Sequence, residues 1–354
     1  MNSSDNIIGN LASYAIQNSS SKRRINEEED PNRSPFQVDC HRILFSNSFS
    51  RLANKTQVLR PEHGDHYKNR LLHTLYVAEN SVDIAGRLKL NKELSRAIAL
   101  AHDLGHTPYG HKGEEALNEI MEKYKSRFEH NEQSLWIVKK IENLNLSDEV
   151  LDGLDKHRTE YDNPRSQNDK MPSLEAQVVN VADEISYLYH DIDDGIRAGA
   201  FSFEELNNLK IWRDAIDAAK GTGHARSQII KLMVADLVYN TTNILTSENI
   251  QTPDDVYNYS GSLVKFSDDM QNKVDELRNF LFEKFYNSKL VMEYNQKGME
   301  IIQFLFAYYY NRPEAMSSEY SKRLTSEEKY IVVKDYIAGM TDRYALEQFI
   351  KYNK

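Results

Sequence analysis

Glycine and proline are scarce in this chain, 14 and 8 among 354 residues. Both interrupt helices, and proline interrupts strands as well. So few of them over such a length favours long helices over many short strands joined by turns. The apolar spacing agrees. Within residues 69–88, Leu72, Leu75, Ala78, Val82 and Ala85 recur three and four apart, the period of one helix face. Further helices are predicted over 92–104, closed by Gly105, and over 111–125, 128–141 and 147–157. Asp162-Asn163-Pro164 and Met171-Pro172 mark 159–172 as a loop. Ser173 then opens a long helix, with Glu175 in its first turn and Val178, Val179, Val181, Ile185 and Leu188 along it. Helical segments continue from 203 to 354, divided near 221–223, 247–253 and Arg312-Pro313. No internal repeat is visible. One short β-hairpin is expected over 58–67, where His63-Gly64-Asp65 marks a turn.

Composition sets outer limits. Hydrophobic residues make up 40% and charged residues 28%, as in a soluble globular protein. The single cysteine, Cys40, excludes an internal disulfide and a cysteine-cluster metal site. Residues 1–10 lack the charged-then-apolar pattern of a secretory signal. The longest apolar-aromatic run, 301–310, is interrupted by Gln303 and is too short to span a bilayer. A cytoplasmic protein with no membrane contact is expected. The net charge of -10 disfavours a general nucleic-acid coat, though not a phosphate-bearing ligand held by a metal and a few local Arg or Lys side chains. Residues 1–35 form a polar arm read as mobile or loosely docked; its basic Lys22, Arg23 and Arg24 are alternatively available to phosphate or a neighbouring subunit.

Five of the 11 histidines lie between residues 73 and 130: His73, His102, His106, His111 and His130. His102-Asp103 ends an apolar helix, where a buried His and Asp are costly without a partner, and a divalent cation is one such partner. Imidazole with carboxylate suits Mn, Fe, Zn or Mg, the imidazoles weighing against Mg as the sole natural choice. Taken alone, the dipeptide is equally readable as an ordinary core or surface pair. His73 sits on a helix otherwise packed with apolar residues, and Asp183 follows Val178-Val179-Asn180-Val181-Ala182. Asp183, Tyr187, His190 and Asp194 are spaced four, three and four apart, which makes one polar stripe on an apolar helix, with Asp191 beside it. A solvated face is the alternative, above all for Asp193 and Asp194.

The surrounding strings are more specific. Residues 69–75 (NRLLHTL), 97–111 (AIALAHDLGHTPYGH), 128–131 (FEHN), 174–179 (LEAQVV) and Asp183-Glu184-Ile185 strongly resemble the bacterial deoxyguanosine triphosphate triphosphohydrolase-like family of the HD superfamily. The resemblance begins near Arg51-Leu52, takes in Lys55-Thr56-Gln57-Val58, and runs to residues 335–343, so it covers most of the chain. It implies an all-α HD-domain helical fold, with a catalytic core over 36–200 and additional C-terminal helices over 201–354 that complete the pocket and supply subunit contacts. It implies one divalent ion held by His73, His102, Asp103 and Asp183, with a further Mg accompanying the triphosphate. The implied reaction is hydrolysis of a dNTP, dGTP or a broader set, to a deoxynucleoside and inorganic triphosphate by water attack at the α-phosphorus.

By the same resemblance Arg70 contacts the substrate, and His111 with Glu114 forms a catalytic pair, the two sharing a helix face three residues apart. His106 and His130 serve phosphate binding or proton transfer, with a hydrogen-bonded core histidine as the alternative for each. Gln57 senses the deoxyribose 3′-hydroxyl, Val58 excludes a 2′-hydroxyl by bulk, Tyr187 packs on the sugar, and Asp191 accepts from the 3′-hydroxyl. Lys55 and Lys68 are candidate triphosphate contacts. Where some relatives carry lysine after the last metal-binding Asp, this chain has Glu184, so other cations must meet the γ-phosphate. A homo-oligomer is expected, and an allosteric dNTP or single-stranded nucleic acid is a possible partner. Two other readings use the same ligands: another HD phosphohydrolase acting as nucleotidase or phosphodiesterase, and a regulatory HD protein that senses dNTPs or nucleic acid.

Overall fold

The computed structural model describes residues 11–59, 66–158, 170–220 and 225–354. The predominant element is the helix, as the scarcity of breakers predicts. In chain order these are α1 (Pro35–Leu44), α2 (Asn47–Arg51), α3 (Arg70–Arg87), α4 (Lys92–Ala101), α5 (Gly110–Glu122), α6 (His130–Trp136), α7 (Asp148–Asp155) and α8 (Leu174–Arg197). They continue as α9 (Phe203–Leu206), α10 (Lys210–Ala219), α11 (Ala225–Ser247), α12 (Pro253–Asn258), α13 (Asp268–Leu281), α14 (Lys289–Asn311), α15 (Ser318–Arg323), α16 (Lys329–Ala338) and α17 (Asp342–Tyr352). Pairing of β type among the described residues is limited to two isolated bridges, Arg23 with Ser147 and Thr56 with Asn69. The hairpin expected over 58–67 falls largely on 60–65, outside the described residues. No helix among the described residues is long and apolar enough to cross a membrane.

The helices gather into two compact units that interleave along the chain: residues 1–44, 74–102 and 144–288 in the first, 45–73, 103–143 and 289–354 in the second. These do not follow the ranges 1–35, 36–200 and 201–354 read from sequence. Segments distant in sequence share a core in each unit, which composition along the chain does not reveal.

In the first unit α4 is the central helix, packed by α1, α7 and α8. Its residues Leu94, Ala97, Ile98, Ala99 and Ala101 are fully buried. The helix starts on Asn91, whose side chain accepts from the Leu94 amide. Gly153 of α7 lies so close that a Cβ there would meet Ile98 Cδ1 at 2.5 Å. Helix α8 starts on Ser173, which accepts from the Ala176 amide. Buried Glu175 then accepts from the amides of Ile16 at 3.0 Å and Asn91 at 3.1 Å. The described part of the polar arm is therefore anchored. Ala15 and Ile16 are buried, and Arg23 pairs with buried Asp39 and donates to the Pro35 carbonyl.

In the second unit α14 packs against α5, α16 and α17. Much of the chain's tyrosine goes into this core: Tyr109, Tyr309, Tyr320 and Tyr336 are buried with Phe128 and Phe306. Tyr309 stands edge-on to Tyr336, ring centroids 5.0 Å apart. Gly298 of α14 permits close approach of Tyr109, whose Cγ lies 2.6 Å from where a Cβ would be. Buried Asp335 of α16 accepts from Gln133 Nε2 and Trp136 Nε1, both at 2.9 Å, and pairs with Lys334 at 2.8 Å and with Arg323.

Replacing Asp335 leaves several donors facing a void. Asp335→Ala is expected to lower stability by about 3–5 kcal/mol, read as a drop in the urea or thermal midpoint. A midpoint within error of the wild type would mean the carboxylate does not hold these elements together.

Candidate active site

Helix α3 begins where Asn69 caps it: the Asn69 side chain accepts from the Leu72 amide at 2.9 Å and donates to the Ala53 carbonyl at 3.0 Å. This fixes the first turn, which carries Arg70 and His73. Arg70 is 1% exposed, an extreme for arginine. Its Nη1 donates to Asp103 Oδ2 at 2.9 Å, and its Nε and Nη2 find no hydrogen-bond partner among the described residues. His73 Nε2 stands 3.7 Å from the same Asp103 oxygen. On the other side of that carboxylate, His106 Nε2 lies 3.1 Å from Oδ1. Burial, then the Arg70 and His130 charges, hold His106 well below the usual histidine range against the pull of Asp103. A neutral His106 that donates from Nε2 to Asp103 presents a bare Nδ1.

His106 stacks on His130, centroids 3.8 Å apart and 16° between planes. His130 is held by Glu114: its amide donates to Oε1 at 2.7 Å and its Nδ1 lies 3.1 Å from both oxygens. Burial alone would raise the Glu114 carboxyl, but the His130 charge, the His111 contact and the His130 hydrogen bond keep it well below the usual carboxylate range. The expected His111–Glu114 pair is looser than its three-residue spacing suggests. His111 Nδ1 is 3.8 Å from Glu114 Oε2, and the His111 side chain is 58% exposed. The direct bond of Glu114 is to His130.

Two backbone features aim these groups. Tyr109 and Gly110, at the start of α5, both take left-handed φ, 64° and 58°. The Tyr109 amide donates to Asp342 Oδ1 and its hydroxyl to the Asp342 carbonyl, both at 3.2 Å. Gly105 abuts α6: a Cβ there would lie 2.1 Å from the His130 carbonyl oxygen and 2.3 Å from the Ser134 nitrogen. Gln57, half-buried nearby in sequence to Val58, has a buried Oε1 with no partner among the described residues. Lys55, a candidate phosphate contact, is engaged within the protein. It is buried, and its Nζ donates to the carbonyls of Ala338 at 2.8 Å and of His106. Burial pushes its ammonium down to about 7. Lys68 donates to the His66 carbonyl at 3.1 Å.

The first unit carries a second set. His102 is the C-cap of α4. Its Nδ1 contacts the Ala99 carbonyl at 2.6 Å, which turns Nε2 toward Asp183 Oδ1 at 4.0 Å. Further along α8, Tyr187 is buried and its hydroxyl lies 3.5 Å from Glu184, which itself pairs with Arg278. Asp191 accepts from Tyr286 at 2.6 Å and lies 2.7 Å from His190 Nδ1.

The separations 3.7 Å for His73–Asp103 and 4.0 Å for His102–Asp183 exceed hydrogen bonds. They suit donors sharing a cation, since bonds of about 2.0–2.2 Å put neighbouring ligands roughly 3–4 Å apart. Imidazole and carboxylate are also the right donor types for a divalent transition ion.

Sequence reasoning missed His157 and Asn131, and offered Tyr286 only as part of 280–286, a stretch read as facing the base. His157 is buried, with its Nε2 3.7 Å from Asp183 Oδ2. Asn131, beside His130, has a buried amide with no partner among the described residues. Tyr286 binds Asp191. Asn131 stood within a recognised string, whereas His157 carried no local signal.

A helical fold with His and His-Asp motifs spaced in this way defines an HD-type phosphohydrolase. The HD domain family model matches residues 70–188, and the phosphohydrolase-associated domain model matches 264–351. A deoxyguanosinetriphosphate triphosphohydrolase-like protein of Geobacter sulfurreducens is 41% identical, over 96% of this chain and 94% of that one. Proteins of the same description from Leptospira interrogans and Ralstonia nicotianae are 41% and 38% identical, each covered to 94%. The chain belongs to the deoxyguanosinetriphosphate triphosphohydrolase-like family, and its chemistry is that of a metal-dependent phosphohydrolase.

Gly105→Ala is expected to push α6 away, and with it His130, because the clash is with backbone rather than with a flexible side chain. Stability should fall by about 3 kcal/mol or more, measured as loss of soluble yield or of melting temperature. A wild-type melting curve would contradict this packing.

Proposed function

We propose that this protein hydrolyses a deoxynucleoside triphosphate to the deoxynucleoside and inorganic triphosphate, with one divalent ion bound by His73, His102, Asp103 and Asp183. The observation that carries the reading is Arg70: a buried guanidinium, anchored to Asp103 through one nitrogen, whose two other N–H-bearing nitrogens lack partners among the described residues. A phosphate oxygen satisfies such a group. When bound, the ion supplies Lewis-acid stabilisation of phosphoryl charge and lowers the pKa of water.

The side chains do the rest. Arg70 orients the phosphates, and Asp103, fixed by Arg70 and His106, keeps its lone pairs directed. Glu114 holds His130, which stacks on a neutral His106; His130 binds phosphate oxygen, and the bare Nδ1 of His106 accepts a proton. His111, largely exposed and 3.8 Å from Glu114, delivers a proton to the departing 5′ oxygen or helps activate water. Gln57 offers a buried amide oxygen to the 3′-hydroxyl, and Val58 opposes a 2′-hydroxyl. Tyr187 packs on the sugar. Each oxygen of Asp191 has a second lone pair beyond its bond to Tyr286 or its contact with His190, and one of these receives the 3′-hydroxyl. A further Mg accompanies the triphosphate, because Glu184 cannot serve as the cation some relatives carry there. The protein acts as a homo-oligomer, with dNTP or single-stranded nucleic acid as an effector.

Incubation of the purified protein with each of the four dNTPs and GTP, with Mn or Mg, should release inorganic triphosphate, seen by phosphorus NMR, from dNTPs and not from GTP. Release of orthophosphate or pyrophosphate instead would make it a different HD phosphohydrolase. Asp183→Ala should lose bound metal by elemental analysis together with turnover; retained stoichiometry removes Asp183 from the ligand set. His111→Ala should keep metal and nucleotide binding while turnover falls by roughly two orders of magnitude, and unchanged turnover would exclude it from proton transfer.

A further inference from the structure

His157 stands outside every motif above, yet it is among the most constrained histidines in the first unit. It follows α7 directly and is 1% exposed. Its Nδ1 lies 2.7 Å from Asn180 Oδ1. An oxygen acceptor at that distance puts a ring hydrogen on Nδ1, which leaves Nε2 as the nitrogen available to coordinate. That Nε2 faces Asp183 Oδ2 at 3.7 Å and has no hydrogen-bond partner among the described residues. At 3.7 Å the pair is too far apart for a hydrogen bond and close enough for both atoms to share a cation.

His102 repeats the arrangement. Its Nδ1 is tied to the Ala99 carbonyl and its Nε2 faces the other Asp183 oxygen. The two rings stand edge to face, centroids 5.1 Å apart. The donor atoms of His102, His157 and Asp183 all lie within 4.8 Å of one another. Asn180 and Asp183 are one turn apart on α8, so the same helix face supplies the carboxylate and the amide that fixes the His157 tautomer. An outer partner that sets the tautomer of a coordinating histidine is the usual support of a metal ligand.

We propose that His157 is a further protein ligand of the divalent ion assigned to His102 and Asp183, its Nε2 joining their donor atoms. The proposal rests on the metal-centre reading above and adds a donor to it. An additional imidazole biases the centre toward Mn, Fe, Co or Zn and away from Mg. Asn180 is a positioning residue that acts through His157.

The test uses the full chain and Co(II) or Mn(II) alone, without nucleotide. In competition with a chelator, His157→Ala and His157→Gln should bind metal about 10- to 100-fold more weakly than wild type, and Asn180→Leu should weaken it in the same direction. His157→Cys loaded with Co(II) should show a thiolate-to-cobalt charge-transfer band that wild type lacks. Cys40, the one native cysteine, is buried with its thiol pushed up to about 12, so it serves as the internal control. Melting curves of the metal-free variants identify any that fail to fold, and His157→Gln and the cobalt spectrum then decide. Wild-type affinity in both His157→Ala and His157→Gln, with no new band in the Cys variant, overturns the proposal while leaving the four-ligand reading intact. Absence of stoichiometric metal in the wild type sinks that reading instead, and this proposal with it.

Discussion

The arrangement of the second unit's site depends on a buried negative charge, the carboxylate of Asp103. Burying a carboxylate costs several kcal/mol unless charge and hydrogen bonds surround it. Here Arg70 supplies the charge, and in doing so is drawn into the interior at the start of α3 with one of its nitrogens engaged. His106 occupies the other oxygen. Its own burial, next to Arg70, keeps it neutral, and this allows it to stack at 3.8 Å on His130 without setting two like charges face to face. Glu114 then fixes His130 from the far side. Each group is thus oriented by the one before it, and polar groups that would be a liability in an apolar core become a rigid array.

That array is aimed by strained backbone. Two consecutive left-handed residues, one of them a tyrosine, precede α5, and a non-glycine residue in that region costs about 1–2 kcal/mol. The strain persists because Asp342, the first residue of α17, takes the Tyr109 amide, the Thr56 amide at 3.2 Å and the Tyr294 hydroxyl at 2.8 Å. The C-terminal helices therefore have a specific task in the site, holding the turn that presents His111 and Glu114. This gives a physical reason for the phosphohydrolase-associated match over 264–351 to accompany the HD match.

Helix placement was legible in the sequence because apolar period and caps are local: Ser173, Gly105 and the scarcity of glycine and proline mark ends and lengths without reference to tertiary structure. The motif histidines were legible because they sit in long strings. What escaped is non-local. Lysine is exposed by default, and nothing near Lys55 announces the two carbonyls it serves. His111 and Glu114 share a face by spacing, but spacing is silent about His130, sixteen residues on, which takes the carboxylate. The partners of His157 lie on α8, 23 residues later for Asn180, beyond the reach of any local pattern. The interleaving of the two units is invisible for the same reason.

The end of α4 shows how fold and chemistry share a bond. The last carbonyls of a helix have no partner within it and must find one elsewhere. For Ala99 that partner is the ring of His102, through Nδ1 at 2.6 Å. The contact closes the helix, and it also fixes the tautomer and turns Nε2 toward Asp183. Successive residues near a helix end point about 100° apart, so His102 and the adjacent Asp103 meet different neighbours, the first α8 and the second Arg70 and His106. The C-cap of α4 cannot be altered for stability without altering the direction of His102 Nε2.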